Sequence, residues 1–347
     1  MAPPRMVPAL ADVLLEEIFV RIDSPADLAR ASTACVAFHR LITDPSFLRR
    51  YRSLHPPLLL GFLDFDGCGF RPPDETHPSA ALARAIARTT DLTFNGYYPR
   101  AAGAYWQLWD IRDGRVLFKS GPEDDNEVIT EFAVCDPLAR RCLQLPPIPN
   151  ALLASVQVQK QYFEGSDAAL VPSGEEDDDT SFRVIARMDF IEKVVAFVFS
   201  SDAWRWSVGT SISWYALSLP RGYDEMSWTA DYAYGCFYWK FADLNGCLKL
   251  DMSSMEFSTV DLLPGFDFDM NFFTIVEAGE GRLGIFTLTN NDTSLCYCTV
   301  RQNGGERSDQ LNLGDKIPLP AGLSSHPGLG LLLRHAAGVE LGDDTGV

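Results

Sequence analysis

The sequence predicts an α+β multidomain protein, in which a small N-terminal helical module precedes a mainly antiparallel, all-β domain. Apolar residues recur at helical spacing between helix caps mainly near the N-terminus, whereas short apolar strands separated by polar turns fill most of the remaining sequence. The charge changes at the same place. Residues 1–55 hold seven arginines and six acidic residues, whereas the whole chain of 347 residues carries a net charge of −18. We therefore expect a domain boundary near residue 55.

The first helix of the module, which spans residues 8–54, is predicted from one apolar stripe. Leu10, Leu14 and Ile18 are spaced four residues apart and therefore share one face of a helix. The helix should end near Asp23. Residues 1–7 before the module and residues 336–347 at the other end of the chain are expected to be flexible or frayed.

The later helices of the module are predicted from their caps. Ser24-Pro25 and Asp44-Pro45 each place an N-cap oxygen before a proline at the first helical position. A third apolar run covers Val36–Ile42. Three or four short helices bury little apolar surface by themselves, so the helices either pack on the rest of the chain or bind a partner.

The module as a whole resembles an F-box. The resemblance is carried by Leu10–Ile22, by Ser24-Pro25 and by Cys35–Arg50, in that order. It implies that the module binds a Skp-type adaptor and, through it, a cullin scaffold of a ubiquitin ligase. Carried over position by position, the adaptor surface would comprise Leu10, Val13, Leu14, Ile18, Pro25, Leu28 and Phe38.

Residues 56–335 are predicted to form the β-rich domain, with one short helix at Ala80–Arg88. Four segments share an apolar strand, a polar turn and a second apolar strand. They are Leu108–Phe118, Phe132–Cys142, Phe197–Trp206 and Cys247–Phe257.

The spacing of the turns favours a β-propeller (kelch-like). The turn residues Asp202, Ser253 and Asn303 are 51 and 50 residues apart, close to the kelch repeat of about 50 residues, which leaves room for about six blades. A pair of packed β-sheets is the main rival architecture.

Several segments of this domain also look like the propeller-like region that follows the F-box in plant F-box proteins. These segments are Phe132–Pro147, Val198–Ser201, Gly235–Trp239 and Gly281–Phe286.

Two acidic stretches and a group of tryptophans are candidate binding features of the β-domain. The stretches Pro122–Glu127 and Glu175–Asp179 are either a patch for a basic substrate or solvated loops, and we favour loops because like charges repel. The tryptophans either line a ligand groove or pack between blades, and we favour packing. They are Trp204, Trp206, Trp214, Trp228 and Trp239.

The eight cysteines are expected to be reduced thiols. None forms a C-x-x-C pair, so we predict no structural metal site. The closest pair, Cys296 and Cys298, would share one face of a strand. No cofactor is expected, because the phosphate-binding and dinucleotide-binding glycine motifs are missing from the sequence.

The predicted function is that of a non-enzymatic adaptor. Residues 8–54 would bind the Skp-type adaptor, and the β-domain would capture an unknown protein substrate for ubiquitination by proximity. The alternative is a propeller-type enzyme or carbohydrate-binding protein with a helical cap. Because the sequence contains no catalytic motif, we assign no catalytic residue, and no residue is assigned to substrate binding. The acidic charge disfavours a nucleic-acid partner. We expect no membrane partner and an intracellular location, in the cytoplasm, the nucleus or both.

Overall fold

The structure is a computed structural model of the chain that divides into two compact units, a smaller one that holds the N-terminal helices and a larger one of Leu59–Gly338. The residues that the structure describes are 12–55, 60–63, 70–89, 106–120, 131–137, 139–158, 163–173, 181–219, 230–241, 246–261, 273–279, 281–288, 294–301, 312–313 and 317–318.

The smaller unit contains four helices with the predicted caps. They are α1 (Asp12–Phe19), α2 (Pro25–Ser32), α3 (Val36–Ile42) and α4 (Pro45–Leu54). The Ser24 side chain accepts a hydrogen bond from the Asp27 backbone N–H, and the Asp44 carboxylate accepts one from Ser46. Both prolines follow these caps, where their missing N–H groups cost nothing.

The smaller unit has an apolar core of its own. Its buried members come from all four helices or from the turn after α1, and they are Phe19, Val20, Leu28, Ile42, Phe47 and Tyr51. The Tyr51 hydroxyl donates a hydrogen bond to the Ile22 carbonyl at 2.7 Å, which satisfies the one polar group of this core residue.

The larger unit is mostly antiparallel β-structure. It begins with β1 (Phe62–Leu63), β2 (Phe70–Arg71) and α5 (Ala80–Thr89), which confirms the helix predicted at Ala80–Arg88. Four antiparallel sheets follow, each formed by strands that are consecutive in the chain.

The four sheets have the following strands. The first contains β3 (Trp106–Arg112), β4 (Arg115–Ser120), β5 (Phe132–Asp136) and β6 (Arg141–Gln144), and helix α6 (Asn150–Ser155) follows it. The second contains β7 (Phe163–Val171), β8 (Arg183–Phe190), β9 (Lys193–Ser200) and β10 (Arg205–Ser213). The third contains β11 (Asp231–Ala233), β12 (Cys236–Lys240), β13 (Gly246–Asp251) and β14 (Glu256–Asp261). The fourth contains β15 (Phe273–Glu277), β16 (Arg282–Leu288), β17 (Ser294–Arg301), β18 (Asn312–Leu313) and β19 (Ile317–Pro318).

These sheets form a four-bladed, propeller-like arrangement. We call them blades 1 to 4 in chain order. The first strands of blades 1 and 2 are in contact, as are those of blades 3 and 4, as expected where first strands surround a common axis. The prediction of a propeller is confirmed at this level, whereas the expectation of about six blades is corrected to four in the described part of the larger unit.

The blades are held together by apolar residues on both faces of each sheet. Along β9, Val195 and Phe197 pack in the core shared with blade 1, whereas Val194 and Ala196 pack in the core shared with blade 3. Successive side chains of a strand point to opposite faces, so a strand between two neighbours must be apolar at every position. This explains why the strand sequences are apolar runs.

Blades 1 and 3 repeat the same hairpin. The β3–β4 turn at Asp113-Gly114 and the β11–β12 turn at Tyr234-Gly235 are 121 residues apart, and all four residues have positive φ angles. Glycine adopts this conformation without strain, which favours it at the second position of both turns. The turns at Asp202 and Ser253 likewise join the third and fourth strands of blades 2 and 3, while Asn303 lies outside the described residues.

An aspartate on the first strand of each of these hairpins bonds to the next blade. Asp110 accepts a hydrogen bond from the Leu170 backbone N–H, and Asp231 accepts one from that of Ile275, each at 2.9 Å. These two aspartates are also 121 residues apart. Each bond satisfies a backbone donor of the neighbouring first strand, and charged acceptors make such bonds strong.

Two of the eight cysteines form a disulfide, which corrects the prediction that all are reduced. Cys135 and Cys142 lie directly opposite each other on β5 and β6 and are bonded. Cys296 and Cys298 both lie on β17 as free thiols, and Cys298 is buried. In the described part of the chain, no helix is long and apolar enough to cross a membrane.

We predict that the two blade-bridging aspartates differ in their contribution to stability. Asp231 is buried beside the Lys240 ammonium at 3.2 Å, so Asp231→Ala should lower the free energy of unfolding by about 3–5 kcal/mol. Asp110→Ala removes a less buried acceptor and should cost about 1.5–3 kcal/mol. Urea unfolding measures both. The control, Asp202→Ala in an exposed turn, should stay within about 0.5 kcal/mol of wild type. Equal losses for all three variants would contradict the role of these bonds.

We also predict a modest contribution from the disulfide. The two cysteines are separated by seven positions in the sequence, and a short loop loses little chain entropy when it is closed, so reduction should cost less than about 3 kcal/mol. Urea unfolding with and without reductant measures this difference. A Cys135→Ser, Cys142→Ser double variant should show no response to the reductant, and a wild type equally indifferent to it would overturn the prediction.

Candidate functional site

The structure brings four charged residues together where blades 1, 2 and 3 meet. Lys119 comes from β4, Asp167 from β7, and Arg187 and Asp189 from β8. We call these four residues the charged cluster. Electrostatic interactions link the Lys119 ammonium to the other three groups, and the same holds for the Asp189 carboxyl. Charged side chains are rarely buried in a core unless they are paired, so the cluster stands apart from the apolar residues around it.

Asp167 is the structural centre of the charged cluster. Its side chain is fully buried and accepts hydrogen bonds from two indole N–H groups, those of Trp109 in blade 1 and Trp239 in blade 3. The Trp109 bond is 2.6 Å long. One carboxylate on the first strand of blade 2 thereby connects three blades and satisfies both tryptophans.

Arg187 and Asp189 form a buried ion pair that is only partly satisfied. The Arg187 Nε and Nη2 atoms donate to Asp189 Oδ2 at 3.1 and 2.9 Å. Both residues have 3% of their surface exposed. Among the described residues, the other guanidinium nitrogen, Nη1, and the other carboxylate oxygen, Oδ1, have no hydrogen-bond partner although both atoms are buried. Such unmet groups are rare in native cores and point to function or to a bound molecule.

Burial perturbs the protonation of the charged cluster. It raises the pKa of Asp167 and of Asp189 above the ordinary carboxyl value, and the positive charge of Arg187 partly opposes this shift. Burial also lowers the pKa of Lys119 to about 8. The Lys119 ammonium donates to the Ser166 carbonyl at 2.7 Å and lies over the Trp109 ring. Carboxyl and amino pKa values displaced toward neutrality are typical of acid–base sites.

The charged cluster is specific to blade 2. The buried pair Lys240 and Asp231 in blade 3 instead serves the blade-to-blade contact, where Lys240 donates to the Phe273 carbonyl. By register, the β16 residue that corresponds to Arg187 is Leu288. No group of three or more metal-binding side chains occurs in the ranges that the structure describes.

The predicted adaptor surface is only partly exposed on the smaller unit. Val13, Leu14 and Ile18 lie on α1 with 69%, 52% and 50% of their surface exposed. Leu28 is in the core instead, and Phe38 is half-buried, edge-to-face against Phe19.

Two further members of the predicted surface add little to it. Pro25 is half-buried, and Leu10 lies outside the described residues. Val36, which the sequence analysis did not select, is 85% exposed. Binding of a Skp-type adaptor by this surface stays a prediction.

The tryptophans mostly pack between blades, as predicted. Trp206, Trp214 and Trp239 are buried, whereas Trp204 is about half exposed in the β9–β10 turn. Trp228 and both acidic stretches lie outside the described residues.

The sequence contained one signal for the charged cluster that motif searching missed. Arg187 and Asp189 are two residues apart in Arg183–Phe190, a strand that is otherwise largely apolar. Residues at this spacing share one face of a strand. Two opposite charges on one face of a buried strand therefore predict a buried ion pair.

No protein-family model and no curated protein sequence matches the chain. Solved structures do match it, at low similarity. A Hadza microbial sialidase has 12% identity and a TM-score of 0.35, with 56% of this chain and 43% of that chain covered. A family 117 glycoside hydrolase from Zobellia galactanivorans has 8% identity and a TM-score of 0.36, with coverage of 65% and 74%. The GH43_1 enzyme from Xanthomonas citri, complexed with xylose, has 13% identity and a TM-score of 0.31, with coverage of 69% and 81%.

These matches correct two predictions. They are enzymes, so the predictions of a ligase adaptor and of a non-catalytic chain are wrong, and the alternative of a propeller-type enzyme or carbohydrate-binding protein is the better supported of the two. The chain spans less than half of the sialidase's own length. With TM-scores below 0.5, the matches assign no residue, substrate or reaction to this chain.

The protonation of Lys119 makes the stability of the larger unit depend on pH. With the pKa lowered to about 8 in the folded state and near 10.4 in the unfolded chain, the unfolded state binds more protons between these values, so the Lys119 contribution to stability should rise with pH in this window. Urea unfolding at several pH values should show the wild type gaining on Lys119→Met as the pH rises from about 8 to about 10. Lys249→Met controls for the loss of one lysine elsewhere. A constant difference between wild type and Lys119→Met would contradict the assignment.

Proposed function

We propose that the larger unit is a propeller-type enzyme that performs acid–base chemistry at the charged cluster. The observation that carries this proposal is the buried Arg187–Asp189 pair, which has an open donor and an open acceptor among groups with displaced pKa values. Purely structural ion pairs are stable when all of their hydrogen bonds are made, as the Lys240–Asp231 pair approaches in blade 3. The blade 2 pair departs from that pattern.

Asp189 is the candidate acid–base group. Its raised pKa keeps a larger fraction protonated at a given pH than in an exposed carboxyl, which suits a general acid. Its Oδ2 atom is held by Arg187, so the open Oδ1 atom is the one placed to exchange a proton with a substrate. General acid catalysis of this kind accelerates hydrolysis by about 10²–10⁴-fold.

The other members of the charged cluster position and tune this carboxyl. Arg187 fixes the orientation of Asp189 through two hydrogen bonds to one oxygen. Asp167, held by two indoles, opposes ionisation of Asp189 through its negative charge. Lys119 has the opposite effect on the Asp189 carboxyl, because its positive charge favours ionisation. The balance between these charges sets the proton affinity of Asp189.

The finer predictions on the N-terminal module stay predictions. They are the F-box resemblance of residues 8–54, the Skp-type adaptor as a partner and the intracellular location. The exposed stripe of Val13, Leu14 and Ile18 supports a protein contact at this face. The kelch-like character of the blades likewise stays a prediction beyond the propeller-like arrangement itself.

Hydrolysis assays test the proposed function. We expect the purified full chain to turn over at least one substrate in a panel of chromogenic glycosides, esters and peptide amides. Asp189→Asn keeps the shape of the side chain but removes the acid, so it should lower kcat by about 10²–10⁴-fold. The matched control is Asp251→Asn, which changes an exposed turn carboxylate in blade 3 and should leave kcat unchanged. A folded wild type without turnover on any of these substrates, or an Asp189→Asn variant as active as wild type, would overturn the proposal.

A further inference from the structure

The two open atoms of the charged cluster differ in kind. Arg187 Nη1 can only donate a hydrogen bond, whereas an ionised Asp189 Oδ1 can only accept one. Both belong to one ion pair, since the remaining hydrogen bonds of that pair join Arg187 to the other oxygen of Asp189. A group that satisfies both atoms must therefore accept and donate at once. A hydroxyl does so, because its oxygen accepts while its proton is donated.

The charge of the site favours a neutral ligand. With all four groups ionised, the cluster contains two positive charges, Lys119 and Arg187, and two negative charges, Asp167 and Asp189. An anionic ligand would approach two buried carboxylates and a cationic ligand would approach two buried cations, and each arrangement raises the energy of the complex. A neutral ligand meets neither repulsion.

One side of the charged cluster comes close to the surface. Lys119, Gly165 and Ser166 are half-buried, in contrast to the other members of the site. Gly165 pairs with Asp189 in the sheet, and a Cβ atom at Gly165 would lie 3.8 Å from Asp189 Oδ2. The missing side chain at this position leaves space beside the Asp189 carboxylate on its more exposed side.

From this geometry we infer that the charged cluster binds a hydroxyl group of a neutral, polyhydroxylated ligand, of the carbohydrate class, between Arg187 Nη1 and Asp189 Oδ1. The inference rests on the proposed function in placing the ligand at the same site, and it adds the substrate class. The hydroxyl donates its proton to Asp189 and accepts a hydrogen bond from Arg187, which satisfies both open atoms of the ion pair.

Binding measurements on the full chain test the ligand class separately from catalysis. The probes are glucose, galactose, mannose and xylose, together with glucuronate and glucosamine as matched anionic and cationic sugars. Tryptophan fluorescence provides a readout, because the indoles of Trp109 and Trp239 both bond to Asp167 within the cluster, and calorimetry provides a second. We expect at least one neutral sugar to bind about tenfold or more tightly than the charged sugars, in keeping with the energy of a hydrogen bond to a charged group.

Three variants locate the binding site. Arg187→Lys keeps the charge but loses the planar guanidinium, and Asp189→Asn keeps the shape but loses the charge, so each should weaken sugar binding by about tenfold or more. Gly165→Ala adds a methyl group at an ordinary contact distance, so it should fold normally and still weaken binding by occupying the space beside Asp189. Asp251→Asn should bind as wild type does. Circular dichroism and thermal unfolding show which variants are folded, and Gly165→Ala gives the result if the two charge variants unfold.

The outcomes separate this inference from the proposed function. Sugar binding that the folded variants weaken, without turnover of any substrate, would support the ligand class and overturn the enzyme. Turnover of an ester or a peptide, combined with no binding of any neutral sugar, would overturn the ligand class alone. Equal affinity for glucuronate or glucosamine, or sugar binding unchanged in all folded variants, would also overturn it, the latter because the sugar would then bind elsewhere.

Discussion

Each β-sheet of the larger unit has two apolar faces, and each face requires a neighbouring sheet to cover it. Val194–Phe197 shows the reason, since alternate residues of this one segment belong to two different cores. A single blade would leave both faces in water, so stability depends on the contacts between blades. Asp110 and Asp231 add polar bonds to these contacts by accepting backbone N–H groups of the next blade's first strand. Because the same device recurs in blades 1 and 3, we regard it as part of the scaffold.

The charged cluster depends on the same scaffold but differs from it. Asp167 can accept both indole N–H groups only because blades 1 and 3 place Trp109 and Trp239 on either side of β7. This arrangement buries the carboxyl and raises its pKa. Arg187 and Asp189 on the adjacent strand keep one open donor and one open acceptor. Since a scaffold ion pair becomes more stable when all its hydrogen bonds are made, open atoms in a buried pair are better explained by a ligand.

The functional prediction from sequence was wrong because it depended on a local resemblance. The helices and caps around Ser24 and Asp44 were predicted correctly, and they directed attention to the N-terminal module. Catalytic motifs, in contrast, require residues close together in sequence. The charged cluster has no such motif, since its members extend from Lys119 to Asp189 and are joined only by strand pairing and blade contacts. The pair at Arg187 and Asp189 was visible in an apolar strand, but nothing local indicated that Asp167 lies beside it.

The sequence by itself determined the local structure: helix boundaries, the helix at Ala80–Thr89, the apolar strands and the turns between them. These features depend on caps, periodicity and turn residues within a few positions of one another, so they can be read from adjacent letters. Only the tertiary structure decided the number of blades, the disulfide between Cys135 and Cys142, and the charged cluster. Trp109 and Trp239 are 58 and 72 residues from Asp167 in the chain. Their meeting follows from how whole sheets cover one another's apolar faces, which is a property of the assembled blades and of no single segment.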